Sequence, residues 1–153
     1  VGASEETFEK IKKWLSLMGS DISHCGPVGS GTVMKLMNNM VLFQNVSAIA
    51  EAMAIATRAG IKRDDVFEYL SRGSADSFAL RRHGAYMTTG EYPTGLFPTT
   101  YSHKDLGYAL DLALELGVDA AGAALVLSRF EEVIRRGFGD LYSPVLYRLF
   151  ENP

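Results

Sequence analysis

From Gly31 to Ala59 the chain reads as one helix, with Gly60 as its stop. At ~1.5 Å per residue it spans on the order of 40 Å, a small domain's full diameter. Whatever else forms must pack around it. Ala48, Ala50, Ala52, Ala54 and Ala56 leave room for close helix neighbours. The first part, Val33 to Phe43, is apolar nearly all round, the pattern of a buried helix. Lys35, Asn38 and Asn39 break that pattern at i, i+3 and i+4, so they share one face. An unpaired ammonium in an apolar interior is heavily penalised. A polar stripe on such a helix therefore implies a polar cavity. The plainer alternative is a solvated lysine, the common state of a helical Lys. Two adjacent asparagines, mediocre helix formers, sit less easily with it.

Gly26, Gly29 and Gly31 open the helix. They fail two glycine motifs. The dinucleotide fingerprint G-x-G-x-x-G, started at Gly29, needs a glycine where Met34 stands. The P-loop needs Lys directly after its second glycine, where Thr32 stands. The remaining reading is a close backbone crossing into the helix.

The 153 residues suffice for one domain with its own core. Net charge is −3 with no basic block, which argues against nucleic acid and anionic membranes as partners. No run of about 18 apolar residues is evident, so no membrane span is expected. The single Cys25 cannot form an internal disulfide, which fits a reducing, cytoplasmic setting. His24, His83 and His103 lack metal-ligand spacing and read as surface or capping residues. No metal site is expected.

In chain order, Val1–Ala3 reads as a strand end and Ser4 to Met18 as a capped amphipathic helix. Asp21 to Cys25 reads as a short strand. Two such strands cannot stand alone, so residues 1–25 look like the last piece of a larger α/β domain. After the central helix, a helix starts at Lys62–Asp65. Ser77 can cap another through Leu80 to Tyr86. Thr88 to Pro98 is a loop, with Tyr86, Tyr92 and Tyr101 around it; these could close a pocket or simply pack. Ser102 or a neighbour caps a helix that ends at Gly117. Asp119 caps one running to about Arg135, and Ser143 to Phe150 is a last short helix. From residue 28 onward the reading is an all-α bundle.

Lys104-Asp105 lies at the loop-to-helix junction, where free N–H groups favour anions. By spacing alone, a solvated Lys104 paired with Asp105 is the favoured reading. Gly73, Ser74 and Ser77 read as turn and cap residues.

The pattern G-x-x-G-x-G-x-x-x-K-x-x-N-N, from Gly26 to Asn39, resembles the β-hydroxyacid dehydrogenases. So does Phe97-x6-Lys104-Asp105, and the likeness covers nearly the whole chain. The resemblance implies a helical C-terminal domain like that of 6-phosphogluconate dehydrogenase, with a long central helix, over residues 28–153. Residues 1–27 would be the α/β remnant of an N-terminal Rossmann domain. It implies NAD- or NADP-dependent oxidation of a small β-hydroxy acid, or reduction of the matching semialdehyde. Lys35 would be the catalytic acid/base. Asn39, with Asn38 and Gly31, would hold substrate. Phe97 and Asp105 would lie near the substrate, Lys104 at the cofactor, and Gly73, Ser74 and Ser77 along the cleft. The chain lacks the G-x-G-x-x-G strand–turn–helix, so a separate Rossmann domain is the expected partner, together with a second copy of the chain. The rival reading is a helical dimerisation or binding module without activity of its own.

Overall fold

A computed structural model describes residues 1–151. They fall into two compact units, Val1–Asn38 and a second from Asn39 onward.

In the first unit, α1 (Glu5–Leu15) starts where the Ser4 hydroxyl accepts the Thr7 N–H at 3.2 Å. Glu5 and Glu6 in the first turn, and Lys12 and Lys13 in the last, oppose the helix dipole. Phe8 is its buried residue, and the His24 ring stacks on it with centroids 4.7 Å apart. The Cys25 N–H donates to the Val1 carbonyl at 2.8 Å, and the Ala3 N–H to that of Gly26 at 2.9 Å. These bonds frame a lone parallel bridge between Gly2 and Gly26. Among the described residues there is no strand, which corrects the expected strand at Asp21–Cys25 and the α/β remnant built on it. Two extended segments with no third neighbour make a bridge and no ladder. Of the three glycines that open α2, Gly31 makes the close crossing. A Cβ on Gly31 would stand 2.9 Å from the Gly2 nitrogen, and one on Gly2 would stand 2.7 Å from the Pro27 carbonyl oxygen.

The long helix α2 (Ser30–Arg58) gives its first turns to this unit and the rest to the second. Gly60, with φ +95°, takes the chain out of it. There follow α3 (Arg63–Arg72), a π-helical turn at Leu80–Gly84, α4 (Ala85–Thr89), α5 (Thr99–Glu115) and α6 (Ala121–Arg135). A 3₁₀ turn at Ser143–Tyr147 leads into α7 (Arg148–Glu151). The core of the second unit gathers Phe43, Val46 and Met53 of α2 with Leu80, Leu106 and Phe130, all essentially sealed from solvent. Burying each such side chain stabilises by about 1.5–3 kcal/mol.

The outer turns of α2 differ from the reading of a wholly buried helix. Leu36 is buried, but Val33, Met34 and Val41 are exposed; the core cluster's buried members on α2 begin at Phe43, with Met40 and Leu42 packed against it. By length and composition α2 could cross a membrane, which the sequence reading did not anticipate. Its buried side is committed to the protein core through Phe43, Val46, Ala50 and Met53.

Two helix starts also differ. Pro98, extended at φ −71° and ψ 158°, is the N-cap of α5, so Ser102 lies inside the first turn, with its hydroxyl 3.4 Å from the Pro98 carbonyl. Proline lacks the N–H that this position could not satisfy. Ala120, and not Asp119, is the N-cap of α6. Ser77 does cap its helix, accepting the Leu80 N–H at 3.1 Å.

Candidate functional site

In the second unit α2 and α5 meet through a polar contact. Asn39 Nδ2 donates to Asp105 Oδ2 at 2.8 Å. Asp105 is buried, its side chain 3% exposed, while Lys104 beside it is 52% exposed. Lys104 Nζ lies 3.6 Å from Asp105 Oδ1. The same ammonium sits over the Tyr101 ring, 5.2 Å from its centroid. Phe97 meets Tyr101 edge-on, with centroids 5.9 Å apart, and stacks on the buried Phe43 at 6.3 Å. Asn39, Phe97, Lys104 and Asp105, separated by up to 66 residues, thus form one linked group. It combines a half-exposed cation, a buried carboxylate that orients it, an amide donor and exposed aromatic rings.

This group can bind an anion or a carboxamide through Lys104, and a flat ring against Phe97 and Tyr101. Those are the handles of a nicotinamide dinucleotide, so the residues fit such a cofactor.

The remaining candidates are placed differently. Lys35 and Asn38 are exposed on the first turns of α2, in the first unit. The cavity argued from a buried Lys35 is therefore corrected: those turns lie outside the core cluster. Gly31 is half-buried against the Val1–Gly2 backbone, which gives it a packing role. Ser74 and Ser77 line a groove of about 460 Å³ with Asn45, Ala48, Ala52 and Leu70, apart from the Lys104 group. Of the loop tyrosines, Tyr92 is buried and Tyr86 packs edge-on against Tyr142, whereas Tyr101 is exposed beside Lys104.

Sequence reasoning missed the pairing of His83 with Tyr142. His83, read as a surface or capping residue, is 4% exposed, and its Nε2 lies 3.0 Å from the Tyr142 hydroxyl. Burial, with help from the Arg82 charge, pulls the imidazole down to about 4. Burial likewise raises the Tyr142 phenol. His83 lies on the π-helical turn, whose Leu80 and Gly84 are buried with it. Its place between Leu80 and Met87, at i−3 and i+4, was the available signal.

Comparison with known proteins bears on this geometry. Residues 29–149 match the family described as NAD-binding of NADP-dependent 3-hydroxyisobutyrate dehydrogenase. The chain is 35% identical to 2-(hydroxymethyl)glutarate dehydrogenase of Eubacterium barkeri, over 99% of this chain and 50% of that protein. It is 30% identical to 2-hydroxy-3-oxopropionate reductase of Escherichia coli, over 99% of this chain and 51% of that one. Its fold is like that of 3-hydroxyisobutyrate dehydrogenase from Salmonella typhimurium, at 24% identity and TM-score 0.89, over 97% of this chain and 52% of that one. The chain thus spans about half the length of the curated relatives it matches.

The family description overturns two expectations. The helical region was read as the C-terminal domain of a β-hydroxyacid dehydrogenase, in fold class and in function. Its matching family is instead the NAD-binding one, so neither the C-terminal fold class nor the C-terminal functional assignment stands. The C-terminal assignment came from the resemblance carried by Gly26–Asn39 and Phe97–Asp105, and not from the helical periodicity. The cofactor is NAD or NADP, and the chain belongs to the NAD-binding family of the 3-hydroxyisobutyrate dehydrogenases, among the β-hydroxyacid dehydrogenases.

Proposed function

We propose that this chain is the nicotinamide-dinucleotide-binding part of a dehydrogenase or reductase of small β-hydroxy acids. One observation carries the reading: the Lys104 ammonium, half open to solvent, is held between the buried Asp105 carboxylate and the Tyr101 ring. When bound, the nicotinamide takes or supplies the hydride. Lys104 contacts the cofactor. Asn39, Phe97 and Asp105 line the reacting end, where the amide and the aromatic edge orient a small hydroxy acid. Lys35 moves the proton at the substrate's hydroxyl oxygen.

Substrates named for the relatives give the first panel: 2-(hydroxymethyl)glutarate and 2-hydroxy-3-oxopropionate. The protein works in the cytoplasm as a homo-oligomer. Val41, Ala48, Ala52 and Ile55 lie exposed along one side of α2, a narrow face on which a second copy can pack. Sedimentation at high concentration tests the assembly.

The deciding experiment is titration of the protein with NADH and NADPH, followed by reduced-nicotinamide fluorescence. Saturable binding of either is expected. Binding of neither would overturn the reading.

A further inference from the structure

Lys104 carries its charge on a flexible stem, and fixing such a side chain has a large entropic cost. Two contacts hold it. The nearer partner in sequence is Asp105, but 3.6 Å is long for a hydrogen bond, and that carboxylate also receives Asn39. The other is the Tyr101 ring, three residues earlier on the same helix and so on the same face. Tyr101 is 56% exposed, more than a ring needed only for the core. An exposed ring is ordinarily free to turn. Here Phe97 stands edge-on to it, Phe97 stacks on Phe43, and Phe43 meets Phe130 edge-on at 5.5 Å. Phe43 and Phe130 are sealed in the core. The rings therefore brace one another from the core out to the cation.

We infer that Tyr101 is a positioning residue for Lys104: its braced ring fixes the ammonium before the cofactor arrives. This rests on reading Lys104 as the cofactor contact. The ring face does the holding, and the hydroxyl has no part in it. Tyr101 therefore acts through Lys104, and its loss has no effect on binding where Lys104 is already gone.

The test measures NADPH and NADH dissociation constants for the full protein carrying this chain. The variants are Lys104→Ala, Tyr101→Phe, Tyr101→Leu and the double variant Tyr101→Leu/Lys104→Ala. Lys104→Ala is expected to weaken binding about tenfold or more. Tyr101→Phe should bind within about twofold of the parent, and Tyr101→Leu about two- to fivefold more weakly, the size of an exposed cation–π contact. The double variant should bind like Lys104→Ala alone. A second readout needs no cofactor: ring-current shifts of the Lys104 ε-methylene protons should persist in Tyr101→Phe and vanish in Tyr101→Leu. If Lys104→Ala weakens binding but Tyr101→Leu does not, the positioning role is wrong while the cofactor reading survives. Additive losses in the double variant also overturn the positioning role. If Lys104→Ala binds like the parent, the cofactor reading itself fails, and the positioning role with it.

Discussion

Asn39 Nδ2 donates to Asp105 Oδ2 at 2.8 Å, joining α2 to α5 across 66 residues of chain. The acceptor is buried and carries the exposed Lys104 beside it. The bond therefore does two jobs. It ties two core helices together, and it sets the orientation of the carboxylate that directs the cation.

The first prediction concerns that bond. Asn39→Ala removes a donor from a buried carboxylate, a loss of about 1.5–3 kcal/mol for a charge-assisted bond. Asn39→Asp should be worse at neutral pH, because two carboxylates then face each other. Chemical denaturation at pH 7 checks both. Equal stability of Asn39→Asp and the parent would show that the bond contributes little.

Gly31 gives the second. A Cβ there would meet the Gly2 nitrogen at 2.9 Å and the Val1 carbonyl carbon and Cα at 3.2 and 3.3 Å; all three are backbone atoms, so none can swing aside. Gly31→Ala should push the Val1–Ala3 segment off and break the Gly2–Gly26 bridge. The Ala3 and Cys25 amides, which donate to Gly26 and Val1, should then exchange with solvent at least about tenfold faster. Unchanged exchange would mean that the crossing is looser than the geometry shows.

Much of the helical architecture was legible because its signals are local. Gly60 stopping α2, Ser4 capping α1 and Ser77 capping its turn all follow from neighbouring residues. What was not legible depends on partners distant in sequence. Asp21–Cys25 has strand-like composition, but the pairing beside it stops at the single Gly2–Gly26 bridge. The burial of Lys35 was argued from the apolar residues around it, while the core reaches along α2 only to Met40, five residues further on. Asn39, Phe97, Lys104 and Asp105 were all singled out, yet nothing in their spacing shows that Asn39 reaches Asp105. Tyr101 looked no different from Tyr86 and Tyr92, because exposure decides its role.

Lys35 supplies the third prediction. If it moves the substrate's proton, Lys35→Ala should lower kcat by about 10²–10⁴-fold with cofactor affinity nearly unchanged. Lys35→Arg should be almost as damaging, since a guanidinium does not give up its proton. The measurement is kcat for both variants, beside the NADPH dissociation constant. An arginine variant that keeps most of kcat would make Lys35 an anchor for a carboxylate.

The last prediction is a pH dependence of stability centred on His83. In the folded chain burial holds this imidazole at about 4, against 6.5 in the open chain. The folded state therefore favours the neutral ring. Above pH 6.5 both states are neutral and this contribution is fully present. Between pH 6.5 and about 4 the unfolded chain binds a proton that the folded chain refuses, so stability falls with falling pH. The total loss is on the order of 3 kcal/mol, at ~1.4 kcal/mol per pH unit. Below about 4 the folded ring also protonates, and the loss levels off. Charging Nε2 would also remove its ability to accept from the Tyr142 hydroxyl, 3.0 Å away. His83→Gln keeps a neutral polar group at the site and should flatten the slope between pH 6.5 and 4, at some cost in stability at pH 7. Denaturation midpoints across that range, for parent and variant, provide the check. Parallel pH profiles would show that the acid sensitivity arises elsewhere.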